Sequence, residues 1–385
     1  MIAAGRSRAR VVHIGLAGAF LGFGVVDGTW SARLPALQQR LGLDSGELGV
    51  VVFAVALTAT AALPAAGWLA GRRGSRGPAG LGLCLAAAGL ALAAFTPGLS
   101  TLVLAACVLG AGFGIVDVAA NAHGVALEQR AGRPLLSGLH GAWSFGLLAG
   151  AGVAAAAAAA GVGPRMHFPL VSVGVVVVAV LAVPRLLSRA DEDTPPGVAH
   201  LSLPRGALAL PAVLVFCAMF VEASTMSWAA VFLAGPVHAG AAVAAWGVAA
   251  FALAMALARL RGDALTIRWG ASGLTSRGGA LACAGMLLAL TTRSSVPALV
   301  GFACVGAGCA AVVPVLFRVA GLAPGVAAGA GIAAVATAGY TGGVLSGPAI
   351  GFLARGIGLT AALGLAAAAS ALLALLGPRL EPQPQ

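Results

Sequence analysis

The stretch Arg185–Arg205, RLLSRADEDTPPGVAHLSLPR, is the one sustained polar interruption in a chain otherwise built from apolar runs. Six runs precede it, at 11–30, 48–69, 78–96, 101–121, 138–160 and 168–184. Six follow it, at 208–234, 240–258, 278–292, 297–317, 327–353 and 360–377. A helix rises about 1.5 Å per residue and a bilayer core is about 30 Å thick, so a run of roughly 20 apolar residues makes one crossing. The spacing predicts an all-α polytopic membrane protein with 12 transmembrane helices in two six-helix bundles, 1–186 and 208–385. Between them, 187–207 reads as an exposed linker carrying Asp191, Glu192 and Asp193. A six-plus-six layout points to a secondary transporter with two related halves.

Composition agrees. The chain is 60% hydrophobic and 9% charged, far from the range of soluble globular domains. Its formal charge of +11 could suggest nucleic acid, but the basic residues lie between spans. All 22 are arginine, and with the N-terminus inside, only Arg33, Arg40, Arg165, Arg293 and Arg355 fall on the outer side. The positive-inside rule then places both termini in the cytoplasm. The charge is a topology signal, and no nucleic-acid partner is expected. The start, MIAAGRSRARVVHIGLAG, resembles a signal peptide but runs on to Trp30 without a cleavage site, so it reads as a retained first helix. The six cysteines all sit in apolar runs and form no CxxC pair, which supports neither a disulfide framework nor a metal site.

Carboxylates at bilayer depth are the candidates for chemistry. Asp27, Asp117 and Glu222 fall in the first, fourth and seventh spans. Each is costly there unless paired, solvated or protonated. No lysine exists to pair with them, so they are expected either to line a wet cavity and exchange protons or contact a solute, or to be structural hydrogen-bonded carboxyls. Asn121 lies one turn beyond Asp117 on the same face; it either serves a polar solute or satisfies backbone. His140 opens the fifth span and reads as a proton relay or an interfacial histidine. Trp143, Trp228 and Trp246 could stack on a sugar ring, or else form an interfacial belt or serve as packing residues. Tyr340, the only tyrosine, lies within the eleventh span and wants a polar partner. Pro314 and Pro348 are expected to break the tenth and eleventh helices locally. Glycines at small-xxx-small spacing, such as Gly146/Gly150 and Gly343/Gly347/Gly351, offer faces for close helix approach.

Two basic turns sit at equivalent places in the halves: Arg72, Arg73 and Arg76 after the second span, Arg259 and Asp263 after the eighth. Either gating contacts or topological anchoring fits them. Glu128, beside Arg130 and Arg133, reads as a gating pair or a solvated charge. No phosphate-cradling loop, HExxH or nucleophile elbow appears, so neither an enzyme nor a cofactor is expected.

Gly67-Trp-Leu-Ala-Gly-Arg-Arg-Gly-Ser-Arg76 resembles the G-x-L-x-D-R-x-G-R signature of the major facilitator superfamily, with Gly71 where the aspartate stands. Other stretches resemble the bacterial YbjJ-like permeases, distantly similar to fucose–proton symporters. These are Gly28-x-Trp-x-x-Arg-x-Pro35, Asp117-Val-Ala-Ala-Asn121, Glu128 and His140-Gly-x-Trp143-Ser-x-Gly146. In the second half come Glu222 to Trp228, Phe251-Ala-Leu-Ala-Met-x-x-x-Arg259, Gly306-x-Gly308 to Pro314, and Tyr340-x-Gly-Gly to Gly347-Pro348. The resemblance implies the MFS fold, with the first, fourth, seventh and tenth helices around a central cavity. It also implies proton-coupled uptake of a small, sugar-like solute by a monomer in a bacterial inner membrane. A proton-coupled exporter is the second reading, and a non-transporting membrane sensor a third.

Overall fold

A computed structural model describes residues 2–131, 135–192, 205–324, 326 and 328–380 of this chain. Among them there is helix and no strand. The order is α1 (Ile2–Leu41), α2 (Ser45–Arg73), α3 (Arg76–Ala93), α4 (Leu99–Ala131), α5 (Leu136–Ala159), α6 (Pro164–Ala182) and α7 (Ala209–Ala234). Then come α8 (Ala241–Arg259), α9 (Gly262–Thr291), α10 (Ser295–Cys309), α11 (Val312–Gly321), α12 (Ala328–Ile357), α13 (Leu359–Ala362) and α14 (Gly364–Leu376). Among the described residues, eleven candidate membrane spans result, α10 and α11 counting as one crossing and α13 and α14 as another. The predicted eleventh span, now α12, is a 30-residue helix outside that set.

The expected spans recur with informative differences. Helix α1 runs on through Pro35 to Leu41, well beyond residue 30, and Arg33, expected in a loop, is buried within it. The ninth span starts early: residues 262–269 form a helical segment that meets the crossing proper at Gly270. Gly270 has φ 66°, a left-handed conformation that glycine adopts without a Cβ clash. In the tenth span the break falls between Cys309 and Val312, ahead of Pro314. Pro314 thereby sits in the first turn of α11, where a missing N–H breaks no intrahelical bond. Pro348 does not interrupt α12, which is continuous through it.

The chain divides into two compact units, Met1–Trp30 with Ala54–Ala199, and Ser31–Phe53 with His200–Gln385. In the first, α3 packs on α4 and α6. Gly24 and Gly28 of α1 lie against the backbone of Trp143 and Leu147, while Gly146 and Gly150 of α5 lie against Leu21 and Val25. This reciprocal set lets the two helices touch backbone to backbone, the association that small residues permit in lipid. In the second unit, α7 packs on α12, α14 and α8, and α10 on α8 and α9. The tip of α1 and α2 belongs to it: Gly49 abuts Gly347 and Gly351, and Asp44 pairs with Arg355 at 3.1 Å. Asp44 and Glu47 also cap α2 reciprocally, each carboxylate accepting the other's backbone N–H at 2.9 Å.

Candidate functional site

In the first unit α4 and α5 bring three predicted residues together. Asp117 and Asn121 are four residues apart on α4, so their side chains share a face. Asn121 Nδ2 donates to Asp117 Oδ1 and to the Asp117 carbonyl, both at 2.9 Å. The amide therefore satisfies backbone, one of the two roles open in the sequence, and serves its partner carboxylate as well. Its Oδ1 lies 3.0 Å from Nε2 of His140 on α5, so that nitrogen carries the proton and donates. The result is a directed chain, His140 to Asn121 to Asp117.

Aromatic rings flank this chain. The His140 ring meets Phe20 edge-on at 5.3 Å, and Phe23 packs on Phe113 at 5.1 Å and on Trp143 at 6.1 Å. Asp27 lies one turn beyond Phe23 on α1 and is half-buried. A polar acceptor line beside aromatic faces is a surface on which a hydroxyl-rich ring can be held.

The second unit carries a different constellation. Glu222 on α7 was expected without a basic partner, yet Arg259 at the end of α8 reaches to 3.7 Å from Glu222 Oε1. Arg259 Nε also donates to the Ala310 carbonyl at 3.2 Å, inside the interruption between α10 and α11. Breaking that helix freed a carbonyl, and the guanidinium uses it. Arg259 thus belongs with Glu222 rather than to the turn alone. Trp228 is wholly buried in α7 and offers no face to a solute. Trp246 is exposed on α8, and Tyr340 is half-buried in α12.

At the arginine-bearing end of the first unit, Glu128 is a helix cap, neither of the expected alternatives. Its Oε1 accepts the backbone N–H groups of Leu135 and Leu136 at 2.5 and 2.8 Å, the free donors that start α5. Arg72 stacks over the Trp68 ring at 4.8 Å, Arg73 is exposed and Arg76 is half-buried. Asp263 opens α9, and its side chain lies outside the described residues, as does Arg133.

A cluster that the sequence reading missed closes this end. His123 on α4 is fully buried; Nε2 accepts the Leu187 N–H at 3.1 Å and Nδ1 lies 2.7 Å from Ser75 Oγ. Ser75 Oγ and N–H both donate to Glu192, at 2.9 Å to its nearer oxygens. Burial pushes the Glu192 carboxyl up, but the bonds from His123 and Ser75 outweigh it and hold the group below the usual carboxylate range. Arg189 donates to the Gly71 carbonyl. The start of the expected exposed linker is therefore anchored, with Leu186 and Leu187 in the core beside Val12 and Leu16. A carboxylate does reach the turn where Gly71 replaces the signature aspartate, and it comes from Glu192. The available signal was a lone histidine in an apolar run, two residues past Asn121.

Residues 14–209 match the family model described as Major Facilitator Superfamily. An uncharacterised MFS-type transporter of Yersinia pestis is 34% identical over 353 residues, 91% of this chain and 90% of that protein. An uncharacterised transporter of Sinorhizobium fredii is 30% identical over 374 residues, 95% of this chain and 97% of its own length. A D-xylose–proton symporter of known structure superposes with a TM-score of 0.76 at 14% identity, over 97% of this chain and 98% of that one. The E. coli fucose–proton symporter superposes with a TM-score of 0.62 at 16% identity, over 96% and 98%. The structural likeness establishes the fold, and the sequence likeness the kinship. The chain is a multi-pass membrane transporter, not an enzyme, and it belongs to the major facilitator superfamily.

Proposed function

We propose that this transporter takes up a small polar, sugar-like solute together with a proton, by alternating access, in a bacterial inner membrane with both termini cytoplasmic. The observation that carries the reading is the hydrogen-bonded line from His140 through Asn121 to Asp117, set among Phe20, Phe23, Phe113 and Trp143. Asn121 engages Oδ1 of Asp117, and Oδ2 has no partner among the described residues. That oxygen is available to a proton or to a solute hydroxyl. An ionised aspartate at mid-span costs about 3 kcal/mol, which a bound proton removes. The side chain can then traverse its conformational cycle neutral, and it re-ionises where water reaches it. The half-buried rings of Phe23 and Trp143 supply contact area for a ring, and Oδ2 of Asp117 supplies directional recognition. Glu222 and Arg259 form the second polar centre, where a carboxylate already holds its counter-charge. The names of the xylose–proton and fucose–proton symporters favour the same solute class.

The test is purified protein in proteoliposomes with an external pH dye, screened against sugars, organic acids and drugs. Solute-dependent external alkalinisation, abolished by Asp117→Asn, is the expected result. Counterflow of a labelled solute with no proton movement would make the protein a uniporter. Proton movement opposite to that of a drug would make it an exporter.

A further inference from the structure

Where the ends of α1, α3 and α6 come together in the first unit lies a cavity of about 310 Å³. Arg76 at the start of α3 and Arg185 just past α6 line it, together with Ser188 and the apolar Val11 and Leu187. No carboxylate is in its lining. Glu192, the nearby acid, is engaged by Ser75 and His123. Two lining residues are already held: the backbone N–H of Leu187 is tied to buried His123, and the Arg185 guanidinium donates to the Leu181 carbonyl. A cavity of this size is at the small end of organic-ligand sites.

An apolar track leads from this cavity along α6. Val173, Val177, Val180, Leu181 and Pro184 recur at spacings of three and four residues, and all five are exposed. They form one stripe on the helix surface, ending beside Arg185. On α1, Val11 and Ile14 are exposed in the same way. An anion with apolar tails fits both parts at once: two guanidiniums for a phosphate, and a helix face for acyl chains. A free phosphate would use only the first part.

We propose that this cavity binds the phosphate of an anionic phospholipid in the adjoining leaflet. Guanidinium groups suit phosphate through paired N–H donors. Each arginine near an anionic lipid surface contributes about a fivefold gain in binding. Loss of both should therefore weaken binding roughly 25-fold.

The experiment is native mass spectrometry of the full-length protein released from detergent, titrated with phosphatidylglycerol, phosphatidylcholine or inorganic phosphate. Retention of phosphatidylglycerol over phosphatidylcholine is expected, falling about 25-fold in the Arg76→Gln/Arg185→Gln double variant. The Arg76→Lys/Arg185→Lys variant keeps the charge and should retain most of the lipid, which separates lost binding from lost folding. Arg261→Gln/Arg318→Gln, a change of equal charge at exposed arginines outside the cavity lining, should leave retention untouched. Equal retention of the two lipids, or undiminished phosphatidylglycerol on the double Gln variant, would overturn the site. Inorganic phosphate displacing the lipid at equal concentration would overturn the lipid as its occupant.

Discussion

Leu187 donates its backbone N–H to Nε2 of His123 across 3.1 Å, which fixes the tautomer of a fully buried imidazole. With Nε2 accepting, Nδ1 carries the proton and donates to Ser75 Oγ at 2.7 Å. Ser75 in turn donates to Glu192, so hydrogen-bond direction runs from the linker backbone back to the linker carboxylate. The loop closes on itself with every polar group engaged, the condition under which a buried polar network stabilises.

The Glu192 carboxyl sits below its ordinary range, so its contribution follows a defined sign. A depressed acid stabilises the folded state above the unfolded value of about 4.3 and loses that contribution as pH falls through the lower folded value. Hydrogen-exchange protection of the Ser75 amide should thus be full at neutral pH and should fall only below about pH 4. Glu192→Gln should lose about 1.5–3 kcal/mol of that protection at pH 7, the range for bonds to a charged group. Unchanged exchange in the variant would show that Ser75 does not depend on this carboxylate.

Glu128 caps α5, so its loss should read as stability. Glu128→Ala should cost about 1 kcal/mol, as other N-cap deletions do, seen as a lower thermal midpoint in detergent. Transport by the folded fraction should persist. Abolished transport with an unchanged midpoint would restore a gating role.

Glu222 and Arg259 should behave as a pair. Removing one partner leaves the other charge poorly compensated, so Arg259→Gln should destabilise more than Arg259→Gln combined with Glu222→Gln. A double-mutant cycle should give a coupling of about 0.5–3 kcal/mol. Additive effects would mean that the 3.7 Å approach carries no energy.

A side chain at Gly28 would run into the Leu147 carbonyl, because backbone already fills that space. Gly28→Ala should therefore destabilise by about 1–3 kcal/mol, the usual range for overpacking. Gly152, also on α5, has open space around it, so Gly152→Ala should be tolerated. Equal midpoints for the two variants would show that the α1–α5 contact relaxes freely.

The helices were readable because each apolar run reports a local property, transfer into lipid, that needs no partner. The Asp117–Asn121 pair was readable for a similar reason, four-residue spacing on one helix. What escaped depends on contacts between distant segments. His123 meets Leu187 from 64 residues away, and Ser75 meets Glu192 from 117. Periodicity is silent on such meetings. Glu128 was misread because flanking arginines suggested a charge pair, whereas the unsatisfied N–H groups of α5 were the closer demand. The break in the tenth span was readable from Pro314, which marks the first turn of the following segment and so lies just past the gap itself.

The anchor at Glu192 also changes the length of the tether between the halves. From Arg185 to Arg205 there are 20 residue steps, which at about 3.5 Å each could reach roughly 70 Å. Counted from Glu192 there are 13, and the reach shrinks to about 45 Å. While the anchor holds, the stretch left to span is about one third shorter than the polar segment. Lengthening it again first breaks the bonds of Glu192 to Ser75 and its approach to buried His123.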